Sequence, residues 1–270
     1  MPAPNEITTP QLLRLIGLPD APAIVDVCLD EDFDADPLLI PGAFRHAFDD
    51  IPGLQARLDG SKAVIVCQKG KKLSQGVAAL LRAAGEQAEY LQGGVFAWRD
   101  HPDAPRIPAS AIPQATGETT LWVTRHRPKI DRIACPWLIR RFVDRNARFL
   151  FVEPGEVQNV AERFGAIPFD IEDTFWSHRG PLCTFDVMLD EFGLRTKPLD
   201  RLSVVIRAAD TDRHELAPQA AGLLAISVGL SRQYRDDTAQ LEAGMALYDA
   251  LYRWARDGNN EGHSWPTSTS

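Results

Sequence analysis

Apolar positions recur in two rhythms along this chain. In the first, short apolar runs alternate with amphipathic stretches. AIVDV at Ala23–Val27, AVIV at Ala63–Val66 and the run Ala88–Leu91 read as strands. AVIV is continuous rather than alternating, the mark of a strand buried on both faces. Thr9 and Pro10 open a helix, with Thr9 as N-cap and Pro10 at the first helical position. Asp30–Asp36 reads as an acidic loop. A helix starts near Ser74, places Val77, Leu80 and Leu81 at helical spacing, and stops at Gly85. After Gly93 and Gly94 comes a short turn, Val95–Trp98. Strands alternating with helices imply a mainly parallel sheet with helices on both faces.

The second rhythm is mostly helical. Leu121–Thr124 and Phe149–Val152 look like strands, and helices are expected over 130–145, 155–164, 183–193, 199–210, 219–230 and 236–256. The last carries Leu241, Met245, Tyr248, Leu251 and Tyr252 at three- and four-residue spacing, a core-packing stripe. Between the two rhythms, 102–119 is rich in Pro, Ala and Thr, with Pro102, Pro105, Pro108 and Pro113, and reads as a semi-extended linker. The expected organisation is an α/β domain over 1–107, a linker over 108–119, a mostly helical domain with a few strands over 120–257, and a polar, frayed tail over 258–270.

Composition narrows the classes. With 44% hydrophobic residues in 270, a packed core is expected. A net charge of −8 argues against non-specific nucleic-acid binding, which needs Lys and Arg against phosphates. The start MPAPNEITTPQLL has neither a basic nor an apolar segment of the signal-peptide kind, and no apolar run is long enough to span a bilayer. The four cysteines, Cys28, Cys67, Cys135 and Cys183, form no CxxC pair, which argues against finger-type zinc. Free thiols fit a reducing cytoplasm.

Cys67 is the first candidate for chemistry. It ends a buried strand and precedes a helix, where unpaired amides and the positive dipole end favour an anion. Gly70 lets the loop curl, and Lys69, Lys71 and Lys72 add positive charge. Such surroundings favour a reactive thiolate and attract an anionic partner.

Four pieces, in order, resemble the rhodanese family: IVDV, LLIPGAFRHA, AVIVCQKGKKLS and AALLRAAGEQAEYLQGGVFAW, with Leu91, Gly93, Gly94 and Trp98 in place. The resemblance implies a sulfurtransferase in which Cys67 carries sulfane sulfur as a persulfide. Gln68, Lys69, Gly70, Lys71, Lys72 and Leu73 would then bind the substrate sulfur. It also implies an anionic donor such as thiosulfate, a thiol or other nucleophilic acceptor, and no cofactor for the transfer. Relatives with a six-residue loop, here Cys67–Lys72, transfer sulfur; those with one residue more act on phosphate. Two positions depart from the family pattern. Cys28 replaces an Arg after the Asp-Val pair, and Lys72 replaces an Arg at the loop end, offering a point charge instead of a planar fork. Cys28 reads as a core thiol or a resolving partner.

In the second half, Arg125, Arg127, Lys129 and Arg132 crowd the start of a helix, against its dipole, which suggests a bound oxyanion, a solvated basic face, or pairing with acidic residues elsewhere. Asp131 and Cys135 share a helix face. His178, Cys183, Asp210 and Asp212 are candidate ligands of a divalent metal, and Asp-Thr-Asp is equally a capping or turn sequence. WVTRHRPKIDRIACPWLIRRF, PFDIEDTFWSHRGPLCTFDVMLDEF and ADTDRHELAPQAAGLLAISVGLSRQYRDD are similar to the C-terminal domain of ChrB-type chromate-resistance proteins. That resemblance implies a link to chromate, a sulfate-like dianion. In regulators of that type a helix-rich region linked to DNA binding precedes this domain; here the rhodanese-like half takes its place, and no nucleic-acid or membrane partner is expected. The leading expectation is a cytoplasmic sulfurtransferase coupled to a domain that binds an oxyanion or a metal. Two alternatives stand beside it: a non-enzymatic chromate or redox sensor, and a metalloenzyme centred on the second half.

Overall fold

The computed structural model describes residues 5–114 and 119–262. Residues 115–118 of the linker and 263–270 of the tail lie outside the described residues, as do residues 1–4.

The first half contains β1 (Glu6–Ile7), α1 (Thr9–Leu15), β2 (Ala23–Asp26), α2 (Asp30–Asp34), β3 (Leu38–Leu39), β4 (Ala43–Arg45), α3 (Ile51–Leu58), β5 (Ala63–Val66), α4 (Lys72–Ala83), β6 (Ala88–Leu91), α5 (Gly94–Arg99) and β7 (Ile107–Pro108). Five strands form a sheet in the order β1-β6-β5-β2-β4, parallel throughout. Strand β5 lies at its centre, and its side chains separate by period 2. Val64 and Val66 pack with Leu12 of α1 and Trp98 of α5. Ala63, Ile65 and Cys67 pack on the other face with Leu54 and Leu58 of α3 and Val77, Ala78 and Leu81 of α4. Burial on both faces is why β5 reads as an uninterrupted apolar run. The start of the linker is tied back: β7 pairs antiparallel with β3, and the Ala109 amide donates to the Pro37 carbonyl.

The second half is built from β8 (Leu121–Arg125), α6 (Asp131–Leu138), β9 (Arg148–Val152), α7 (Val157–Phe164), β10 (Ile167–Pro168), α8 (Thr184–Glu191), α9 (Lys197–Asp210), α10 (Ala220–Gln233) and α11 (Asp237–Arg253). A parallel three-stranded sheet has the order β10-β8-β9, so the chain leaves β8 to one side and then returns to its other side. Val123 of β8 faces Val157 and Ala161 of α7. Trp122, next in the chain, faces the main core with Phe169 and Trp176.

That core does not stop between the halves. Phe142 and Tyr252 sit against Gly17, where φ is +82° and a Cβ would stand 2.8 Å from the Tyr252 ring and press on Phe142. The Gly42 amide donates to the Phe142 carbonyl at 2.5 Å, and the Arg256 guanidinium to the Arg14 carbonyl at 2.9 Å. Among the described residues no helix is long and apolar enough to cross a membrane.

The α/β class, the parallel sheet and the helix-rich second half agree with the sequence reading. Some local readings need correction. Thr8, not Thr9, caps α1: its hydroxyl accepts from the Gln11 amide, and the Gln11 side chain returns to the Thr8 amide. Part of the acidic segment is a helix, α2, because Asp30, Glu31 and Asp32 suit the positive end of a helix and Phe33 anchors it in the core. Helix α4 begins at Lys72, and Leu80 is 54% exposed while Ala78 takes the buried place. Val95–Trp98 belongs to a short helix rather than a turn. Strand β10 has no counterpart in the sequence reading.

Candidate functional site

Two side-chain groups are candidates for chemistry, one in each half. The first is the loop between β5 and α4. Cys67 is only 6% exposed, and its Sγ donates to the Ser74 hydroxyl at 3.1 Å. Ser74, buried in the first turn of α4, donates in turn to the Lys71 carbonyl. The loop backbone is held by the segment that follows β6: the amides of Val95 and Phe96 donate to the carbonyls of Cys67 and Gln68 at 3.1 Å each. Two glycines allow this approach. A Cβ on Gly70 (φ +63°) would stand 2.7 Å from the amide nitrogens of Gly93 and Gly94, and one on Gly94 (φ +60°) would press into the Cys67 carbonyl. Gln68 is held from outside by Asp32 at 2.9 Å, so the missed helix α2 reaches the loop. Lys69, Lys71 and Lys72 are exposed around it, and Leu73 is half-buried. Cys28 stands at the end of neighbouring β2, its thiol held neutral by burial and by Asp26.

The second group lies where the carboxyl ends of β8 and β10 meet. Asp131, first residue of α6, follows β8; Asp170 follows β10; His178 comes from the next loop; Asp210 ends α9. His178 Nε2 lies 3.2 Å from Asp210 Oδ2, 3.4 Å from Asp170 Oδ1 and 3.6 Å from Asp131 Oδ2. Asp131 is wholly buried; its Oδ2 accepts from the Phe185 amide, and its Oδ1 has no hydrogen-bond partner. Burial, with Asp210 and Asp170 nearby, pushes the Asp131 carboxyl well above the usual range. Burial would also raise Asp170, but His178 beside it, the hydrogen bond from Thr184 and the charges of Arg132 and Arg125 outweigh it and hold it low. His178 is pushed up to about 10, first by the carboxylates of Asp170 and Asp210 against its ring nitrogen.

The candidate ligands thus part company. His178 and Asp210 meet. Asp212 turns away with φ +55°, fully exposed and 4.0 Å from His214. Cys183 is buried, and its thiol donates to Asp186 at 3.3 Å. Burial first, then Asp131, keeps that thiol neutral. Asp170 was missed because β10 is two residues long and leaves no periodic signature; Asp131 was noticed only for its helix face. The available signal was positional, since both follow apolar strand ends at the edge where α/β sheets bind ligands.

The basic residues also divide. Arg125 and Arg132 pair with Asp170 Oδ2 at 3.2 and 3.4 Å. The Arg127 guanidinium donates to the carbonyls of Ser231 and Tyr234 at the end of α10, and its amide to Asp237. Lys129 faces Arg132, Arg127 and Arg232; burial and these like charges lower its affinity for a proton.

Comparison with known proteins matches this division. Residues 8–101 match the model of the rhodanese-like domain, and residues 122–255 that of the ChrB C-terminal domain. The Protein ChrB of Cupriavidus metallidurans is 35% identical over 153 residues, 56% of this chain and 45% of that protein, so the chain spans less than half of that relative's length. A crystal structure of a Staphylococcus saprophyticus subsp. saprophyticus protein is 28% identical, with a TM-score of 0.30, covering 34% of this chain and 89% of that one. A rhodanese-like domain protein from Staphylococcus aureus is 31% identical, with a TM-score of 0.32, covering 36% and 94%. By the two family-model matches, residues 8–101 are a rhodanese-like domain and residues 122–255 a ChrB-type C-terminal domain.

Proposed function

We propose that the protein is a sulfurtransferase that carries sulfane sulfur on Cys67, linked through its second half to chromate resistance. The observation that carries the reading is the loop itself. A thiol stands at the end of the central strand, beside the first turn of α4, on a backbone that Gly70 and Gly94 allow to fold tightly. Exposed Lys69, Lys71 and Lys72 give an anionic donor such as thiosulfate a charged approach.

In the first step the Cys67 thiolate attacks the outer sulfur of thiosulfate. The sulfur–sulfur bond breaks, sulfite leaves with its electron pair, and a persulfide remains. In the second step a thiolate acceptor attacks the outer sulfur of the persulfide and Cys67 leaves as thiolate. The Ser74 hydroxyl accepts from the Cys67 thiol at 3.1 Å and can donate to the thiolate of both steps once it turns from the Lys71 carbonyl. No metal or organic cofactor enters this balance.

Turnover with thiosulfate and cyanide, followed as thiocyanate, tests the reading. The full chain is expected to turn over and Cys67→Ser to be inactive; equal rates would refute it. Chromate is the candidate oxidant downstream, since thiols and persulfides reduce it readily. Chromate loss with a sulfur donor should then require Cys67, and equal loss with Cys67→Ser would remove the coupling.

A further inference from the structure

We propose that Asp131, Asp170 and His178, with Asp210 beside His178, form a binding site for one divalent transition-metal cation, separate from the Cys67 loop. Carboxylate oxygens from three chain segments converge on one imidazole nitrogen, at 3.2, 3.4 and 3.6 Å. One N–H can donate well to one acceptor, and charge-assisted N–H···O bonds run at about 2.7–2.9 Å. Three longer contacts around a single nitrogen are poor hydrogen bonding but suitable placement for ligands of a shared cation, which would take the place of the Nε2 proton and release it to solvent. Ligand atoms of Asp131, Asp170 and His178 all lie within 4.8 Å of one another, close enough for one ion.

The independent sign is Asp131. Its carboxylate is wholly buried, yet Oδ1 has no hydrogen-bond partner. A buried polar atom without a partner is costly, and native proteins seldom leave one without a reason. A cation held by both Asp131 oxygens would supply the reason, Oδ2 being the one that faces His178. His178, 40% exposed, leaves a way in from solvent.

The donor set indicates which cation. Oxygen donors alone would suit Mg²⁺ or Ca²⁺; an imidazole beside carboxylates suits Mn²⁺, Fe²⁺ or Zn²⁺. The surroundings fit a ligand shell as well. Thr184 donates to Asp170 Oδ1 at 2.9 Å, while Arg125 and Arg132 hold Oδ2, fixing the carboxylate's orientation as outer-shell partners do. The location is also favourable: β8 has β9 on one side and β10 on the other, and the cluster lies at the carboxyl ends of β8 and β10, where the chain reverses direction across the sheet.

The test is calorimetric titration of chelator-treated full-length protein with Mn²⁺ and, separately, with Zn²⁺. One ion per chain is expected, bound at least ~10-fold more weakly by His178→Ala and by Asp131→Asn. Cys67→Ser should bind as the parent does, which keeps this result separate from the fate of the sulfurtransferase reading. Thermal unfolding gives a second readout: the metal should raise the midpoint of the parent and not that of His178→Ala, whose half-exposed position makes misfolding no explanation. Absence of saturable binding by both ions, or binding unchanged in both variants, would overturn the proposal.

Discussion

Gly70 shows how much of the first site depends on one missing side chain. Its φ is +63°, and a Cβ there would meet the amides of Gly93 and Gly94 as well as the Leu91 carbonyl, all backbone. Backbone cannot swing aside, so Gly70→Ala should displace the Cys67 loop and cost about 1–3 kcal/mol. The expected result in urea unfolding is a lower midpoint, accompanied by loss of sulfur loading; normal loading would show that the loop tolerates the shift. Asp131 presents the opposite case, a residue that weakens the fold it belongs to. Its carboxyl is pushed up by burial and by Asp210 and Asp170, so at neutral pH it disfavours folding, and the penalty disappears on acidification once the unfolded chain's Asp is protonated too. In chelator-treated protein, Asp131→Asn should therefore raise stability at pH 7, by about 0.5–2 kcal/mol. A fall in the midpoint would mean that the charge contributes to stability without a metal.

At the scale of elements, the packing of α6 on α11 is set by another glycine. A Cβ on Gly244 would stand 2.6 Å from Ile133 Cγ2, so Gly244→Ala should push the two helices apart and cost about 1–3 kcal/mol, seen as a lower thermal midpoint. Because α6 begins with Asp131, the same change should also loosen the second site. This scale also shows what the sequence made legible. Strand β5 was readable to the residue, since burial on both faces leaves no polar position and Cys67 marks its end. The stripe on α11 was readable because Leu241, Met245, Tyr248 and Tyr252 are all core residues. Helix α2 was hidden, because an acidic run resembles a loop when only its polarity is counted; Phe33 was the clue to its anchoring. Strand β10 was hidden because two residues show no period, and with it went Asp170. Asp212 was grouped with Asp210 on the spacing of a continuing chain, whereas α9 ends at Asp210 and the backbone turns left-handed two residues later. Patterning thus found the elements that pack on both sides, and missed the contacts that only the sheet edge brings together.

For the whole molecule, the decisive feature is the core shared by both halves. Phe142, 2% exposed, packs on Trp137 and Tyr252 within its own half and against Gly17 of the other. The full chain should therefore unfold in one calorimetric transition rather than two. Phe142→Ala should cost about 3–5 kcal/mol and lower that single transition as a whole. Two separate transitions, with only the second-half one shifted, would mean that the halves fold independently. A shared core also sets the rhodanese-like half on the ChrB-type half, so that the Cys67 loop and the Asp131 cluster belong to one body.

The central claim is that Cys67 carries sulfur, and intact-mass spectrometry after incubation with thiosulfate tests it most directly. An adduct of one sulfur atom is expected, removed by cyanide and absent in Cys67→Ser. A parent protein that gains no sulfur, or a Cys67→Ser variant that gains it equally, would contradict it.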